Sequence, residues 1–465
     1  MFLGLTCWVL ATVNIVAGAE TTGPSPGGPA QNRPNILFIL ADDFGRELLP
    51  SYGGQTDYHT PRLQQLATAG MQFQNCYATP LCAPSRVELM TGRYSYRNYT
   101  QWGQLDPRQV TLAQQLRAAG YATGLFGKWQ MDGWQENPPA IVQAGFVEYC
   151  SFNSQQELKD SAEGLGNCYW GVTILCPGKA TKPDRYGPDV FADAAVEFMK
   201  RHRSEPFLAY CCLPLIHRPF QPTPEQPGTP AAGAIPPKAI LGARGAATNF
   251  PAMVRYTDRI VGRLLDALTD LGLAENTIVI FTGDNGTDNV AEATPVRSEF
   301  LGQRVRGGKY FPTELGVNVP LLVRWPGHVP AGRVTSALVD FTDILPTLCE
   351  VAGATLPENY PLDGRSFLAC LLGHDTTAKR GVFTWGNFEN NSSKYKQPAL
   401  HTDQLLDVIR DERWKFYSDG RLFDLLNDFL ERGPVAVGAS AEADAARARL
   451  RQQMKELRDS SPRVW

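Results

Sequence analysis

The chain carries almost no excess charge: 44 Lys and Arg against 47 Asp and Glu leave a net charge of −3 over 465 residues. That balance removes the electrostatic case for nucleic acid or an anionic membrane as partner. Long apolar runs are also missing. Beyond the N-terminus none approaches the length of a membrane span. There are no internal repeats, which excludes an array of stacked units. Histidine is scarce at six residues, so one placed at a strand end stands out. A hydrophobic fraction of 43% and a charged fraction of 20% are ordinary for a soluble globular protein and exclude disorder. The length suffices for one large domain and a smaller one.

Residues 1–19 read as a secretory leader. Phe2 to Ala17 is almost uncharged, and Ala17-Gly18-Ala19 offers small residues for cleavage before Glu20. No Lys or Arg precedes the apolar stretch, so an uncleaved anchor is the alternative. Residues 20–32 are a Gly/Pro-rich spacer. The expected compartment is secreted, periplasmic or otherwise exported. Ten cysteines fit export. Setting aside Cys7 and Cys82 leaves Cys76, Cys150, Cys168, Cys176, Cys211, Cys212, Cys349 and Cys370, an even set that permits disulfides without fixing a pairing. Cys211 and Cys212 lie in an apolar run and read equally well as buried thiols. Asn98-Tyr99-Thr100 and Asn391-Ser392-Ser393 are glycosylation sequons.

Short apolar runs alternate with amphipathic stretches, the pattern of an α/β sheet covered on both faces. Strands are expected at 35–41, 121–126, 206–213, 277–282 and 319–323, with helices at 111–119, 252–271 and 343–352. The first four strands deliver Asp42 and Asp43, Lys128, His217, and Asp284 with Asn285 at their carboxyl ends, where open α/β sheets bind ligands. After a Pro/Gly-rich connection the chain changes character. Short strands near 381–385, 406–410 and 414–417 and a charged helix at 441–458 read as a smaller subdomain. The expected division is 33–372 for the main domain and 373–465 for the C-terminal one.

Asp42, Asp43, Asp284 and Asn285 form an all-oxygen, anionic set suited to Ca²⁺ or Mg²⁺ rather than Zn²⁺. Alone, each pair reads as a helix cap or a tight turn; both pairs at strand ends favour a metal. Lys128 and Lys309 would supply positive charge to an anionic ester. His217 is a candidate general acid. Cys82-Ala83-Pro84-Ser85-Arg86, followed by Thr91-Gly92-Arg93, opens a helix where orphan N–H groups and the dipole favour anions and thiolates. Those residues alone describe a reactive or disulfide-bonded cysteine. Arg86 has two open roles there, orienting the nucleophile or contacting an anion.

The Cys82–Arg93 string resembles the type I sulfatase signature, in which the cysteine is oxidised to Cα-formylglycine. Arg33-Pro34-Asn35-Ile36 with Ala41-Asp42-Asp43 resembles the family's first strand and metal loop. Gly127-Lys128-Trp129 resembles its second signature, and Thr282-Gly283-Asp284-Asn285-Gly286 its second metal loop. Gly308-Lys309 through Pro320 resembles the segment with the second catalytic lysine, and Arg410-Asp411 with Trp414-Lys415 its C-terminal sheet. The resemblance runs from Arg33 to about residue 431 in the expected order.

It implies an alkaline-phosphatase-like α/β/α sandwich with a large mixed sheet, plus a C-terminal subdomain of antiparallel sheet and helix. It also implies a sulfuric ester hydrolase acting on a sulfated carbohydrate or aryl sulfate. Residue 82, converted by a formylglycine-generating enzyme and hydrated to a diol, would complete the metal set and attack sulfur. Asp284 and the cation would assist its deprotonation, His217 and Lys309 would serve the departing alkoxide, and elimination would release sulfate. Gln130 stands where the family has a histidine, the base of that elimination, and glutamine cannot take a proton. Leu315 and Asn318 replace a typical Gly and Arg. A polar residue after Phe146 should help hold sulfate, and Ser151 is left unassigned. The alternatives are a formylglycine-dependent phosphonate or phosphate ester hydrolase, and an idle relative that binds sulfated glycans.

Overall fold

The computed structural model describes residues 33–98, 103–131, 139–152, 169–226, 243–288, 297–374, 382–384 and 406–460. The leader, the spacer, Cys7, Cys168 and the Asn391 sequon lie outside them. The expected strand Asn35–Ala41 (β1) is present with those bounds, and all seven residues are buried. The next strands are Met71–Tyr77 (β2), Ala122–Lys128 (β3), Glu148–Phe152 (β4), Ile174–Cys176 (β5), Lys179–Thr181 (β6), Phe207–Leu213 (β7) and Thr277–Gly283 (β8). A hairpin of Arg297–Phe300 (β9) and Gln303–Arg306 (β10) precedes Leu321–Arg324 (β11) and Arg333–Asp340 (β12).

Ten strands form one sheet in the order β12-β2-β11-β8-β1-β7-β3-β4-β5-β6. β8, β1, β7, β3 and β4 run parallel, and β11 is antiparallel to both β8 and β2. The sheet is therefore mixed. The strands that carry the charged ends are adjacent and point the same way, so their carboxyl ends share one edge.

Alternation along β1 sends Ile36, Phe38 and Leu40 into one core and Leu37, Ile39 and Ala41 into another. Helices Cys82–Thr91, Leu112–Ala118 and Ile344–Ala352 contribute to the first core. Helices Pro61–Ala69, Gly187–Arg201 and Ala243–Asp270 contribute to the second. Both faces are covered, the arrangement that makes a strand such as β1 apolar throughout. Thr111 caps its helix in a reciprocal box with Gln114, as a Thr three residues before a Gln prescribes. Among the described residues no helix is long and apolar enough to cross a membrane.

Val382–Thr384 (β13), Val408–Arg410 (β14), Trp414–Tyr417 (β15) and Leu422–Asp424 (β16) form a separate antiparallel sheet. The helix Ala441–Asp459 adds Ala443, Ala446, Leu450 and Met454 to the first core beside Trp414 and Phe416. All eight described cysteines are free, including the buried Cys211 and Cys212. Asn98 is 2% exposed and its amide donates to Thr91 Oγ1, so the first sequon has no free acceptor nitrogen. Its polarity serves the helix end rather than a glycan.

Candidate active site

Helix Cys82–Thr91 begins at the nucleophile candidate because the preceding turn is locked. Ser85 Oγ accepts from Thr79 N at 3.0 Å and lies 2.9 Å from the Leu81 carbonyl, to which it donates. The helix ends at Gly92, which adopts φ +65° and returns its N–H to Glu88 O. Arg93 then reaches back to Gln109 at 3.0 Å. The Thr-Gly-Arg part of the motif is thus a helix terminator and an anchor.

At the end of β3, Gly127 takes φ +109°, and a Cβ there would stand 1.9 Å from Cys212 O. Glycine lets β3 approach β7 closely enough to aim Lys128 inward. Its ammonium meets Asp42 Oδ2 at 2.6 Å. Asp43, with φ +58°, leaves the extended conformation, so two consecutive carboxylates serve one site instead of opposite faces. Asp43 receives Lys309 Nζ at 2.7 Å on one oxygen and Asn285 Nδ2 at 2.8 Å on the other, and its own N–H donates to Asp284 at 3.0 Å.

Lys309 arrives from a loop stitched to both neighbours. Its N–H donates to Thr287 O at 3.0 Å, and Tyr310 N–H donates to Pro80 O at 2.9 Å, next to the Cys82 turn. Gly286 packs so tightly on this loop that a Cβ would lie 1.8 Å from Leu315 O. The non-glycine at 315 is accommodated because it is the carbonyl, not the side chain, that makes the approach. Asn318, the other departure, donates to Glu314 Oε2 at 2.9 Å, while Arg410 supplies the guanidinium 3.6 Å from that oxygen.

All ten candidate residues therefore meet. Asp42, Cys82 and Asp284 each place a ligand atom within 4.8 Å of the others. Gln130 Nε2 lies 2.9 Å from Cys82 Sγ, and His217 Nε2 lies 3.9 Å from Asp43 Oδ2. The buried oxygens Asp42 Oδ1 and Asn285 Oδ1 have no hydrogen-bond partner. Three carboxylates and an amide, with two buried oxygens that no hydrogen bond satisfies (Arg86 Nη2 stands 3.6 Å from Asp42 Oδ1), form a hard oxygen donor set, and that set fits Ca²⁺ or Mg²⁺.

Three expectations change. Arg86 does not face an anion pocket: it donates to Asp284 Oδ2 at 2.7 and 3.1 Å and to Lys128 O at 2.9 Å, with its side chain 1% exposed. Three of its five N–H groups hold Asp284 and the Lys128 turn, which supports the orienting role. Cys82 is not an activated thiolate, since burial pushes its thiol up against the opposing pull of Lys128 and Lys309. His217 is lowered to about 4 by burial and by Lys309, and its Nδ1–H donates to Arg218 O at 2.6 Å. It rests neutral at pH 7, so acting as an acid requires a bound anion to raise it. Ser151, left unassigned, donates at 2.6 Å to the Gly127 carbonyl beneath the Lys128 turn and is fully buried.

Burial and the Asp42 charge push Asp284 up to about 7. Burial opposes the charge on Asp42, yet Lys128, His217, Arg86 and Lys309 outweigh it and hold that carboxyl well below the usual range. Sequence reading missed Arg218, which pairs with Asp288 at 3.0 Å and lies 3.4 Å from the Tyr310 hydroxyl, half-buried beside His217. Its place directly after His217 was the available signal.

A family profile described as Sulfatase matches residues 34–354. The chain belongs to the sulfatase family. A second profile, N-sulphoglucosamine sulphohydrolase, C-terminal, matches residues 308–460. The sulfatase is 31% identical to arylsulfatase A of Bos taurus over 86% of this chain and 80% of that one. It is 31% identical to steryl-sulfatase of Mus musculus, covering 75% and 67%. It is 28% identical to N-acetylgalactosamine-6-O-sulfatase of Bacteroides thetaiotaomicron, covering 92% and 94%. The crystal structure of Ps i-CgsB superposes with a TM-score of 0.73 at 26% identity, over 93% of this chain and 94% of that one. The phosphonate monoester hydrolase of Agrobacterium radiobacter shares the fold at a TM-score of 0.63 and 24% identity, covering 92% and 96%. The sulfatase is a sulfuric ester hydrolase with the alkaline-phosphatase-like sandwich and a small C-terminal antiparallel sheet.

Beneath the Asp42-Asp43 loop of this sulfatase, Glu47 is fully buried and neither carboxylate oxygen has a well-formed hydrogen bond. Burial pushes it from 4.5 up to about 7, against weaker opposing pulls from the Thr287 hydroxyl, its own backbone and Arg46. The folded protein keeps this proton at pH values where the unfolded chain has released it. Stability is full below about pH 4.5 and falls as pH rises to 7, by about 3 kcal/mol once the group ionises. Glu47→Gln should remove that loss. Its Tm should exceed that of the parent at pH 8 and match it near pH 5; equal Tm differences at both pH values would refute the assignment.

Proposed function

We propose that the protein is an exported sulfatase that cleaves a sulfate ester of a carbohydrate, using formylglycine formed at Cys82 and a bound Ca²⁺, with Mg²⁺ as the other fitting ion. The observation that carries this reading is one cluster: a buried Cys82, the orphaned Asp42 Oδ1 and Asn285 Oδ1, and three buried cations, Arg86, Lys128 and Lys309. Conversion of Cys82 by a formylglycine-generating enzyme draws support from the Cys82-Ala83-Pro84-Ser85-Arg86 string and from membership of the sulfatase family. A carbohydrate substrate draws support from the galactosamine-sulfatase relative and from the C-terminal profile. Export rests on residues 1–19, and the domain division on the boundary near 372.

Asp42, Asp43, Asp284 and Asn285 would hold the cation, with residue 82 completing the set. Hydrated formylglycine supplies an oxygen nucleophile for sulfur, and the cation lowers the pKa of that hydroxyl and offsets sulfate charge. Around them the chain supplies fixed electrostatics. Lys128 and Lys309, 3% and 2% exposed, face the sulfate with charge that needs no rearrangement. Arg86 keeps Asp284 oriented. Gln130 donates its amide N–H to the nucleophile position and accepts no proton, so proton removal at elimination falls to another group. The substrate anion raises the pKa of His217, so the imidazole takes up a proton on Nε2 as substrate binds and can then give that proton to the leaving alkoxide. Burial of the whole cluster excludes competing water.

The test is mass spectrometry of the Cys82 peptide from protein made in its native host. A loss of about 18 Da, thiol to aldehyde, is expected. An unmodified Cys82 in active protein would overturn the mechanism. Parallel assay of sulfate and phosphonate esters separates the reading from a phosphonate hydrolase.

A further inference from the structure

A cleft of about 430 Å³ opens between the β9–β10 hairpin, the 313–315 loop with its Glu314 carboxylate, and the segment 429–432 that follows β16; none of the candidate catalytic or metal residues lines it. Its walls carry Arg304, Arg306 and Arg432, all exposed, over an apolar lining of Leu315, Phe429 and Leu430. None of the three arginines forms an ion pair among the described residues; Arg432 reaches only Gln303, at 3.5 Å. Exposed arginines are ordinarily solvated, so their number alone says little.

The charge behind the cleft separates this case from that ordinary one. Arg46 is 4% exposed and stacks 4.8 Å from the Phe429 ring centroid. It bonds only the backbone and side chain of Gln74, has no carboxylate partner, and leaves Nε unsatisfied. The acids nearby do not cancel this charge. Glu314 and Glu431 are committed to Lys415 at 3.0 and 2.7 Å. Glu299 stands opposite Arg304 across the hairpin without pairing, and Asp428 accepts the backbone N–H groups of Arg432 and Gly433. Arg46 is thus a buried cation with no salt bridge among the described residues, offset by three aromatic faces and the through-space pull of Glu314 and Glu47. Such a cation and three unpaired forks around one concave apolar surface ask for an anion attached to a partly apolar body.

We propose that this cleft binds a sulfate or carboxylate group of an extended polyanionic saccharide, at a sugar unit removed from the one whose ester is cleaved. The proposal rests on the carbohydrate-sulfatase reading above. Position supports it: Arg306 precedes Lys309 by three residues, so their Cα atoms are at most about 11 Å apart. Leu315, on the cleft lining, belongs to the same loop as Lys309. One glycan chain can therefore meet both.

The experiment measures the equilibrium affinity of a polysulfated hexasaccharide for the full chain and for Arg304→Ala/Arg306→Ala/Arg432→Ala, with turnover of a small aryl sulfate in parallel. Affinity should fall at least about tenfold and lose part of its salt dependence, while aryl sulfate kcat/KM stays within about twofold. Unchanged hexasaccharide affinity would overturn the proposal. Should the triple variant unfold, Arg306→Glu alone must weaken binding at least about fivefold, and failure to do so is equally decisive. A parent protein that releases sulfate from neither the aryl ester nor the hexasaccharide would count against the carbohydrate-sulfatase reading but leave the affinity comparison intact.

Discussion

Cys82→Ala should abolish sulfate-ester turnover, by at least about 1,000-fold in kcat, with little change in fold. The residue is 2% exposed, and among the described residues its sulfur has one hydrogen-bond partner, the Gln130 amide at 2.9 Å. Replacing the small polar side chain at a helix N-terminus, thiol or diol, by a methyl group leaves a small void, costing about 1–2 kcal/mol. In a chain of this size that shifts Tm by only a few degrees, about 2–4 °C per kcal/mol at most. Every other group in the cluster can only position, neutralise or donate. Lys128 and Lys309 are fixed on Asp42 and Asp43, and Arg86 is spent on Asp284. None of them offers an alternative nucleophile. Residual turnover above about one part in a hundred, in a variant of unchanged Tm, would mean that residue 82 does not attack sulfur.

The second large effect belongs to a residue remote from the nucleophile. Lys415, on β15, is 1% exposed and joins Glu314 at 3.0 Å to Glu431 at 2.7 Å. Glu314 also accepts from the Tyr77 hydroxyl at 2.7 Å and from Asn318 at 2.9 Å. Burial opposes ionisation of Glu314, but Lys415 and Arg410 overcome it and hold the carboxyl near 2. Burial pushes Glu431 the other way, upward, despite Lys415.

Lys415→Met would leave two buried acids beside each other with only Arg410 nearby. Removing one partner of such a set typically costs about 3–5 kcal/mol. Because Glu314 lies on the loop that carries Lys309, kcat/KM should fall as well, by about tenfold. Lys415→Met combined with Glu314→Gln should recover part of the stability, since the orphaned charge is gone. Thermal unfolding and sulfate-ester kinetics on the three variants measure both effects. A Lys415→Met protein of unchanged Tm would show that the network does not hold the C-terminal sheet to the catalytic loop.

Much of the site was readable because its residues sit at the ends of apolar strands. NILFILA can only be a strand buried on both faces, and Asp42 follows it directly. The same logic located Lys128 after β3 and Asp284 after β8, with chain-local signals marking each end: Thr111 with Gln114, Gly92, and the glycine at 127. Short-range geometry and hydrophobic periodicity are properties of adjacent residues, so the sequence by itself determined these elements and the chemistry they carry.

Partners and protonation were decided elsewhere. Asp42 and Lys128 are 86 residues apart, Arg86 and Asp284 198, and Asp43 and Lys309 266. No local pattern encodes which carboxylate each cation chooses. Only the parallel order β8-β1-β7-β3 and the left-handed turn at Asp43 settle it, and with it the pairing of Arg86 with Asp284. The neutral resting state of His217 and the protonated thiol of Cys82 follow from desolvation, which exists only once the chain has packed. The arginine cleft joins residues 304 and 306 of the β9–β10 hairpin to 432 beyond β16, and Arg46 owes its aromatic surroundings to packing between Tyr52, Phe300 and Phe429. Charge identity is written in the sequence; the dielectric and the company that charge keeps are set by the tertiary fold.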